Sequence, residues 1–221
     1  MTGTRQLLKK MNPSIFTTSI QIVCQIVRDS GLSSRLPGVQ VVNLTTGGAT
    51  WKSLENKLPG IIQVWKACIA EAGCRPGRCL VWMTGNDIYS RLTGLASYAE
   101  ETLDRVTGHA RRVVAELLLH ADGVLVLGPL PRLSGEVAPV KWEQTAAFHL
   151  ERRLKHQLPP RVQFVPLGRQ LTRKMNNIRS LNAGCAEWFR PDHTHLSPAG
   201  YERVADAPDL SIWVKIAAAQ A

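Results

Sequence analysis

The chain has 221 residues, of which 44% are hydrophobic and 20% are charged, and this balance is typical of a soluble protein with one full hydrophobic core. No apolar run approaches the roughly 20 residues of a membrane span, so no transmembrane segment is predicted. The 27 lysines and arginines outnumber the 17 aspartates and glutamates, which gives a net charge of +10. This surplus favours weak, long-range contact with nucleic acid or anionic lipid, but the basic residues are scattered and mark no specific site.

The five cysteines are odd in number and lack a Cys-x-x-Cys pair; they are Cys24, Cys68, Cys74, Cys79 and Cys185. This usage argues against a disulfide framework and against a tetrahedral zinc site, although the middle three are close enough to leave a weaker metal hypothesis. A reducing, intracellular and cytoplasmic location is therefore expected. The apolar stretch of residues 15–27 does not change this, because it contains two glutamines and no small-residue cleavage site follows it.

In chain order, residues 1–18 show no periodicity and are predicted to be a basic N-terminal arm, so that residues 19–221 form a single domain. Apolar runs of strand length predict five strands, at residues 19–27, 39–44, 79–83, 123–127 and 162–165. Helical spacing of apolar residues predicts helices over residues 50–72 with an interruption at Pro59-Gly60, over residues 100–118, and over residues 142–158. Residues 198–205 are predicted to begin a last helix, while residues 167–186 show no clear pattern.

Strands that alternate with helices predict an α/β fold, a flavodoxin-like three-layer α/β/α sandwich with a five-stranded, mostly parallel sheet. In such sheets ligands bind at the carboxyl ends of the strands. Three loops of small and polar residues follow predicted strands directly: Asp29-Ser30, residues 45–48 and residues 85–87. Together with a loop near the C-terminus, they are expected to surround one cleft.

The C-terminal loop has the sequence PDHTHLSPAGY, in which Ser197-Pro198 is a helix start with serine as the N-cap. Asp192 lies three residues before His195, so the carboxylate can orient the imidazole ring and stabilise its charged form, as the general base of a nucleophile requires. His193 competes for this role, but the spacing favours His195. The alternative for this stretch alone is a helix-capping loop with surface histidines.

These blocks together resemble the SGNH, or GDSL-type, hydrolases. Asp-Ser follows the first strand, a glycine follows the second, Gly-Asn-Asp follows the third, and Asp-x-x-His precedes the last helix. WMTGNDIYSR and PDHTHLSPAGY carry most of the resemblance, which extends over residues 28–201, and the stretch of residues 128–132 after the fourth strand is also similar to the family. The order of the blocks and their strand context both fit.

The resemblance implies a role for each residue. Ser30 would be the nucleophile, His195 its general base, and Asp192 the residue that orients His195. The oxyanion hole would consist of the backbone N–H of Ser30, the backbone N–H of Gly48 and the side-chain amide of Asn86. The reaction would be hydrolysis of a small acyl ester through a serine acyl-enzyme, and no metal or organic cofactor is implied. The oligomeric state is not indicated.

Each of these assignments has a plain structural alternative. Ser30 could be an ordinary helix N-cap, and Gly48 could be a turn glycine, with Gly47 competing for its place in the site. Asn86 or Asp87 could cap the next helical turn instead of serving the site.

The chain departs from the family on both sides of Asp29-Ser30, because Arg28 stands where a glycine usually precedes Asp-Ser and Gly31 stands where a leucine is usual. The alternative reading of the whole chain is therefore a catalytically impaired binding or assembly module. The stretch of residues 43–60 followed by VWMTGND is similar to the esterase-like domains of LINE-type retrotransposon proteins, which would suit a module associated with nucleic acid. A third, weaker reading is a nucleic-acid-binding protein whose site blocks are accidental.

Overall fold

The computed structural model describes residues 19–22, 42–43, 48–72, 77–83, 85–89, 98–133, 140–181 and 183–210. The strands are β1 (Ser19–Ile22), β2 (Val42–Asn43), β3 (Arg78–Trp82), β4 (Gly123–Leu127), β5 (Val140–Lys141), β6 (Val162–Val165), β7 (Arg173–Met175) and β8 (Ile178–Leu181). The helices are α1 (Trp51–Ala72), α2 (Glu100–Leu117), α3 (Ala146–Gln157) and α4 (Pro198–Ala205), with 3₁₀ helices at Trp142–Gln144 and Ala183–Trp188. The predicted N-terminal arm, residues 1–18, lies outside the described part of the chain.

The main sheet of the described residues has the strand order β2-β1-β3-β4-β6 and confirms the predicted α/β class. β3, β4 and β6 are parallel, with Trp82 opposite Leu127 and Leu127 opposite Val165 at their carboxyl ends. β1 runs antiparallel to both of its neighbours, whereas the sequence reading placed its carboxyl end beside that of β3. A run of β-branched residues predicts that a strand exists but carries no information on its direction.

Alternate side chains of the central strands enter two separate cores, one on each face of the sheet. On one face, Cys79 and Val81 pack with the apolar sides of α1, α2 and α3, and we call this the helical core. On the other face, Leu80 and Trp82 pack with α4 and the 3₁₀ helix at Ala183–Trp188, and we call this the C-terminal core. The sheet is therefore covered on both faces, as its continuous apolar strands require.

Helix α1 passes through Pro59 without a break, so the predicted interruption at Pro59-Gly60 is wrong. A proline inside a helix removes one backbone hydrogen bond and crowds the preceding turn. Here both residues are exposed, while Leu54, Leu58 and Ile62 bury their side chains in the helical core. Packing of this apolar stripe on both sides of the proline holds the helix together.

The region without a clear sequence pattern, residues 167–186, contains a β-hairpin. β7 and β8 pair antiparallel around Asn176 and Asn177, both of which have positive φ angles, 48° and 65°. Two consecutive residues with positive φ are typical of a type I′ hairpin turn, in which asparagine is favoured. With β5, which pairs antiparallel with β8, the hairpin forms a second, three-stranded sheet.

None of the helices in the described residues is both long enough and apolar enough to cross a membrane.

Candidate active site

The loop after β3 carries the Gly-Asn-Asp block at the carboxyl edge of the sheet. Gly85 has a φ of 107°, a backbone conformation that side-chain-bearing residues rarely adopt, and a Cβ there would lie 3.2 Å from the ring of Tyr89. The chain turns sharply at Gly85 and directs the next two residues, Asn86 and Asp87, toward the start of α1.

The Asn86 side chain is half-buried and bonded at both ends. Its Nδ2 donates to the backbone oxygen of Ala49 at 3.2 Å, and its Oδ1 accepts from the guanidinium of Arg132 at 3.1 Å. The first contact joins Asn86 to the residue that follows Gly48, so two of the predicted oxyanion-hole residues lie beside each other. Gly48 itself is exposed in a turn with a φ of 70°.

Asp87 acts as a helix cap, as the structural alternative for this block predicts. The helix that it caps is α1, which precedes the loop in the chain, and not the next helical turn. Its Oδ1 accepts from the backbone N–H of Trp51 at 2.9 Å. Burial raises the pKa of Asp87 to about 6, against the hydrogen bonds from the backbone N–H groups of Trp51 and of Asp87 itself. Asp87 thus fixes the first turn of α1 next to Ala49, the residue whose backbone oxygen accepts from Asn86.

Asp192 and His195 form a close pair in the loop before α4. His195 Nδ1 lies 2.6 Å from Asp192 Oδ2, and Asp192 Oδ1 accepts from the backbone N–H groups of Thr194 and His195, each at 2.9 Å. Partial burial acts to raise the pKa of Asp192, but the hydrogen bonds from His195 and Thr194 outweigh it and lower the pKa to about 2. The carboxylate therefore stays charged and holds the ring by its Nδ1, which leaves Nε2 to exchange a proton.

His193 does not make the corresponding contact. Its backbone has a φ of 57°, its side chain is exposed, and its N–H donates to the carbonyl of Arg190 at 2.8 Å. The chain turns at His193, which has the positive φ, and the ring of His195, two residues later, contacts Asp192.

The loop after β4 contacts both the Asn86 loop and the loop of Asp192 and His195. Arg132 reaches Asn86, and the neighbouring Leu133 donates its N–H to the backbone oxygen of His193 at 3.0 Å. The charge of Asp192 also acts on the Arg132 guanidinium. The loop after β4 therefore contacts both Asn86 and the loop that carries Asp192 and His195, at the carboxyl edge of β3 and β4.

The far end of the His195 loop is anchored to the C-terminal core. Ser197 caps α4 by accepting from the N–H of Gly200 at 3.2 Å, and its hydroxyl donates to the carbonyl of Glu187 at 2.5 Å. The backbone oxygen of Trp188 accepts the N–H of Ser197 at 3.0 Å. A Cβ on Gly200 would lie 2.1 Å from that same oxygen, so only glycine lets α4 approach this closely.

Ser30, together with Arg28, Asp29 and Gly47, lies outside the described residues. Among the described predicted residues, Gly48, Asn86, Asp192 and His195, the structure brings Asn86 next to the Gly48 segment and Asp192 next to His195. Arg132 is the residue that the sequence reading did not assign to the site. Its only signal was its position in the stretch Gly128-Pro129-Leu130-Pro131-Arg132 after a strand.

Comparisons with known proteins bear on the family and the fold of this chain. Residues 24–207 match the sequence model of the family described as GDSL-like lipase/acylhydrolase. A variant of the acetyl-xylooligosaccharide esterase Axe2 from Geobacillus stearothermophilus is 18% identical, with a TM-score of 0.52 over 77% of this chain and 70% of that one. A catalytic mutant of Axe2, an acetylxylan esterase from the same organism, is 17% identical, with a TM-score of 0.50 over the same shares. Among curated proteins, no sequence matches this chain significantly.

Proposed function

Because the chain belongs to the family of GDSL-like lipases and acylhydrolases, we propose that it is a serine esterase that cleaves small acyl esters through Ser30, His195 and Asp192. The observation that carries the proposal is the 2.6 Å contact between Asp192 and His195, at the same edge of the sheet as the fixed amide of Asn86. A carboxylate that holds the Nδ1 of an imidazole prepares Nε2 to act as a general base.

In the proposed reaction, Ser30 Oγ attacks the ester carbonyl carbon while His195 Nε2 takes the hydroxyl proton. The carbonyl oxygen becomes an oxyanion, which accepts hydrogen bonds from the backbone N–H groups of Ser30 and Gly48 and from the Asn86 amide. The intermediate collapses as His195 returns the proton to the leaving alcohol, which gives the acyl-enzyme. Water then attacks the acyl-enzyme by the same route and releases the carboxylic acid with regeneration of Ser30.

The chain between β1 and Ser30 is long enough to reach this site. β1 ends at Ile22, near the amino end of β3, where Gln21 lies opposite Leu80. The eight residues from Ile22 to Ser30 can extend about 26 Å, whereas the five residues of β3 span only about 13 Å. The direction of β1 is therefore compatible with a nucleophile at the carboxyl edge.

The test is labelling with a fluorophosphonate probe, followed by identification of the modified residue. We expect label on Ser30, and we expect Ser30→Ala to abolish both the labelling and the hydrolysis of a short p-nitrophenyl ester. Label on another serine, such as Ser33, Ser34 or Ser197, would overturn the assignment.

A second candidate function rests on Arg28, which replaces the usual glycine before Asp-Ser. It is a catalytically impaired binding or assembly module of retroelement origin, associated with nucleic acid. We favour the enzyme because a guanidinium loses much of its hydration if it is buried in a cleft without a well-formed partner, so Arg28 is expected to point outward. Arg28→Gly should then raise ester hydrolysis by no more than about tenfold, or ~1.4 kcal/mol in the barrier. A gain of several hundredfold would identify a blocked site and favour the second candidate.

We further propose an anionic partner, an intracellular location and a single-domain organisation. The net charge of +10 supports weak electrostatic contact with nucleic acid or anionic lipid. The odd number of cysteines and the lack of a Cys-x-x-Cys pair support an intracellular location. The extent of the family match supports a single domain from residue 19 onward, preceded by the basic arm.

A further inference from the structure

We propose that Arg132 is a positioning residue of the oxyanion hole, which orients and polarises the side-chain amide of Asn86; this inference rests on the esterase function proposed above. Arg132 does not need to touch the substrate in this role. Its guanidinium donates to Asn86 Oδ1 at 3.1 Å, on the side of the amide opposite to the donor group.

Two contacts fix the orientation of the Asn86 amide. An asparagine side chain can turn by half a rotation and exchange its oxygen with its NH₂ group, and only one orientation supplies a donor to an oxyanion. Arg132 can donate but cannot accept, so it is compatible only with the Asn86 oxygen facing it. The carbonyl of Ala49, on the other side, can accept but cannot donate, so it requires the NH₂ group. Both contacts select the same orientation.

Arg132 also strengthens the Asn86 NH₂ group as a hydrogen-bond donor. One N–H of the Asn86 NH₂ group is used by Ala49, and the second is left for the reacting carbonyl oxygen. A hydrogen bond from a charged guanidinium draws electron density toward Oδ1 and makes the NH₂ hydrogens more positive. The effect is strengthened because the contact is partly buried, where the local dielectric constant is lower than in water.

Tyr89 holds the Arg132 guanidinium in place. The guanidinium lies over the ring of Tyr89, 4.6 Å from the ring centre, and Tyr89 is buried in the helical core. Burial lowers the pKa of Arg132, but the nearby Tyr89 and Asp192 oppose this and the group stays charged. The planar guanidinium can stack on a ring and donate along its edge at once, which a lysine ammonium cannot do.

The experiment is a double-mutant cycle in ester hydrolysis. It measures kcat and KM for a p-nitrophenyl ester with the wild type, Arg132→Met, Asn86→Ala and the double variant, with melting temperatures for each. We expect Arg132→Met to lower kcat by about tenfold, and Asn86→Ala by about a hundredfold or more, with little change in KM. In the Asn86→Ala background, the Arg132→Met change should lower kcat by less than about twofold, because its target is gone.

Two further variants separate a positioning role from a structural one. Arg153→Met is the matched control, since Arg153 is a mostly covered arginine that pairs with Glu100 and Asp104 between α2 and α3, and its loss should leave kcat unchanged. Arg132→Lys keeps the charge without the fork, so kcat should fall between the wild type and Arg132→Met. If Arg132→Met fails to fold, the same cycle run with Arg132→Lys gives the answer.

Several outcomes would overturn the inference. Equal losses of kcat from Arg132→Met in both backgrounds would show that Arg132 does not act through Asn86. A rise in KM with kcat intact would make Arg132 a substrate contact instead. An active, Ser30-labelled wild type with an unaffected Arg132→Met variant refutes this inference alone, whereas a wild type that neither hydrolyses ester nor takes label at Ser30 refutes the proposed function and this role with it.

Discussion

At the scale of single residues, Asp192 contacts only one of the two histidines that lie two positions apart in its loop, His195. His195 contacts it through Nδ1, whereas His193 lies in a left-handed turn with its side chain exposed. His195→Ala should therefore lower kcat by roughly a thousandfold or more, because the proton of the nucleophile loses its acceptor. The measurement is steady-state hydrolysis of a p-nitrophenyl ester.

The matched control for this prediction is His193→Asn. Asparagine tolerates a positive φ, so this change removes the imidazole without straining the turn. We expect its kcat to stay within about threefold of the wild type. Similar large losses from both changes would show that the base has been assigned to the wrong ring.

The sequence predicts the Asp192–His195 contact but not the Arg132–Asn86 contact. The spacing of Asp192 and His195 favoured their pairing, but it left His193 open because the turn that separates the two rings depends on a backbone angle that spacing does not encode. Arg132 could not be linked to Asn86, since the contact joins residues 46 positions apart in two different loops. Long-range contacts of this kind follow from the strand order rather than from any local pattern.

At the scale of elements, the best predicted segments were those with a continuous apolar run between strong breakers. β4 and β6 begin and end at the predicted residues and α4 begins at the predicted residue, and each is bounded by glycine, proline or a serine N-cap. The β7–β8 hairpin was missed because its strands are short and lie largely at the surface, although Asn176-Asn177 was a usable turn signal. Glycines, prolines and helix N-caps can be recognised in a sequence, whereas short exposed strands have no apolar pattern by which to recognise them.

Helix α1 yields a prediction because it tolerates Pro59 in its interior. Pro59→Ala restores a backbone donor and relieves the crowding, so the free energy of unfolding should rise by about 1–2 kcal/mol. This is less than the full helix-propensity difference, because proline also restricts the unfolded chain. Urea denaturation of the two proteins measures the change.

Lys57→Ala serves as the comparison, since Lys57 is exposed in the same helix close to Pro59. Its free energy of unfolding should differ from the wild type by less than about 0.5 kcal/mol. Destabilisation by Pro59→Ala would mean that the proline supports a bend that the packing of α1 requires.

At the scale of the whole molecule, Glu151 joins helix α3 to the loop after β6 and lies close to the loop after β4. It lies on α3, its Oε2 accepts from the N–H groups of Leu167 at 2.8 Å and Gly168 at 2.9 Å, and a Cβ on Gly128 would lie 2.7 Å from that oxygen. Burial raises the pKa of Glu151 to about 7, against the hydrogen bonds from those two backbone N–H groups. The carboxyl group is therefore held in a place that disfavours its charge.

This placement makes stability depend on pH. The folded-state pKa of about 7 exceeds the ordinary 4.5, so the folded chain holds the proton more tightly, and the resulting stability is complete below pH 4.5 and is lost as the pH rises to about 7. Glu151→Gln keeps a hydrogen-bond acceptor for the two N–H groups without an ionisable proton. Its free energy of unfolding should consequently fall less between pH 4.5 and about 8, as measured by urea denaturation at several pH values.

Ionisation of Asp87 also lowers the free energy of unfolding as the pH rises, but only up to its own pKa of about 6. The interval from about pH 6 to about pH 8 therefore isolates Glu151 most cleanly. Parallel pH curves for the wild type and Glu151→Gln over that interval would contradict the prediction. Glu151→Leu, which leaves both N–H groups without an acceptor, should be less stable than the wild type at every pH.

The two faces of the sheet support different halves of the candidate site. Tyr89, beneath Arg132 and next to the Asn86 loop, belongs to the helical core, whereas Leu196, beside His195, belongs to the C-terminal core. Leu133 packs against both cores and donates the hydrogen bond that joins the two loops. In the proposed reaction the two halves serve different steps. We therefore expect substitutions near Tyr89 to change oxyanion binding and substitutions near Leu196 to change proton transfer, whereas substitutions of Leu133 should change both.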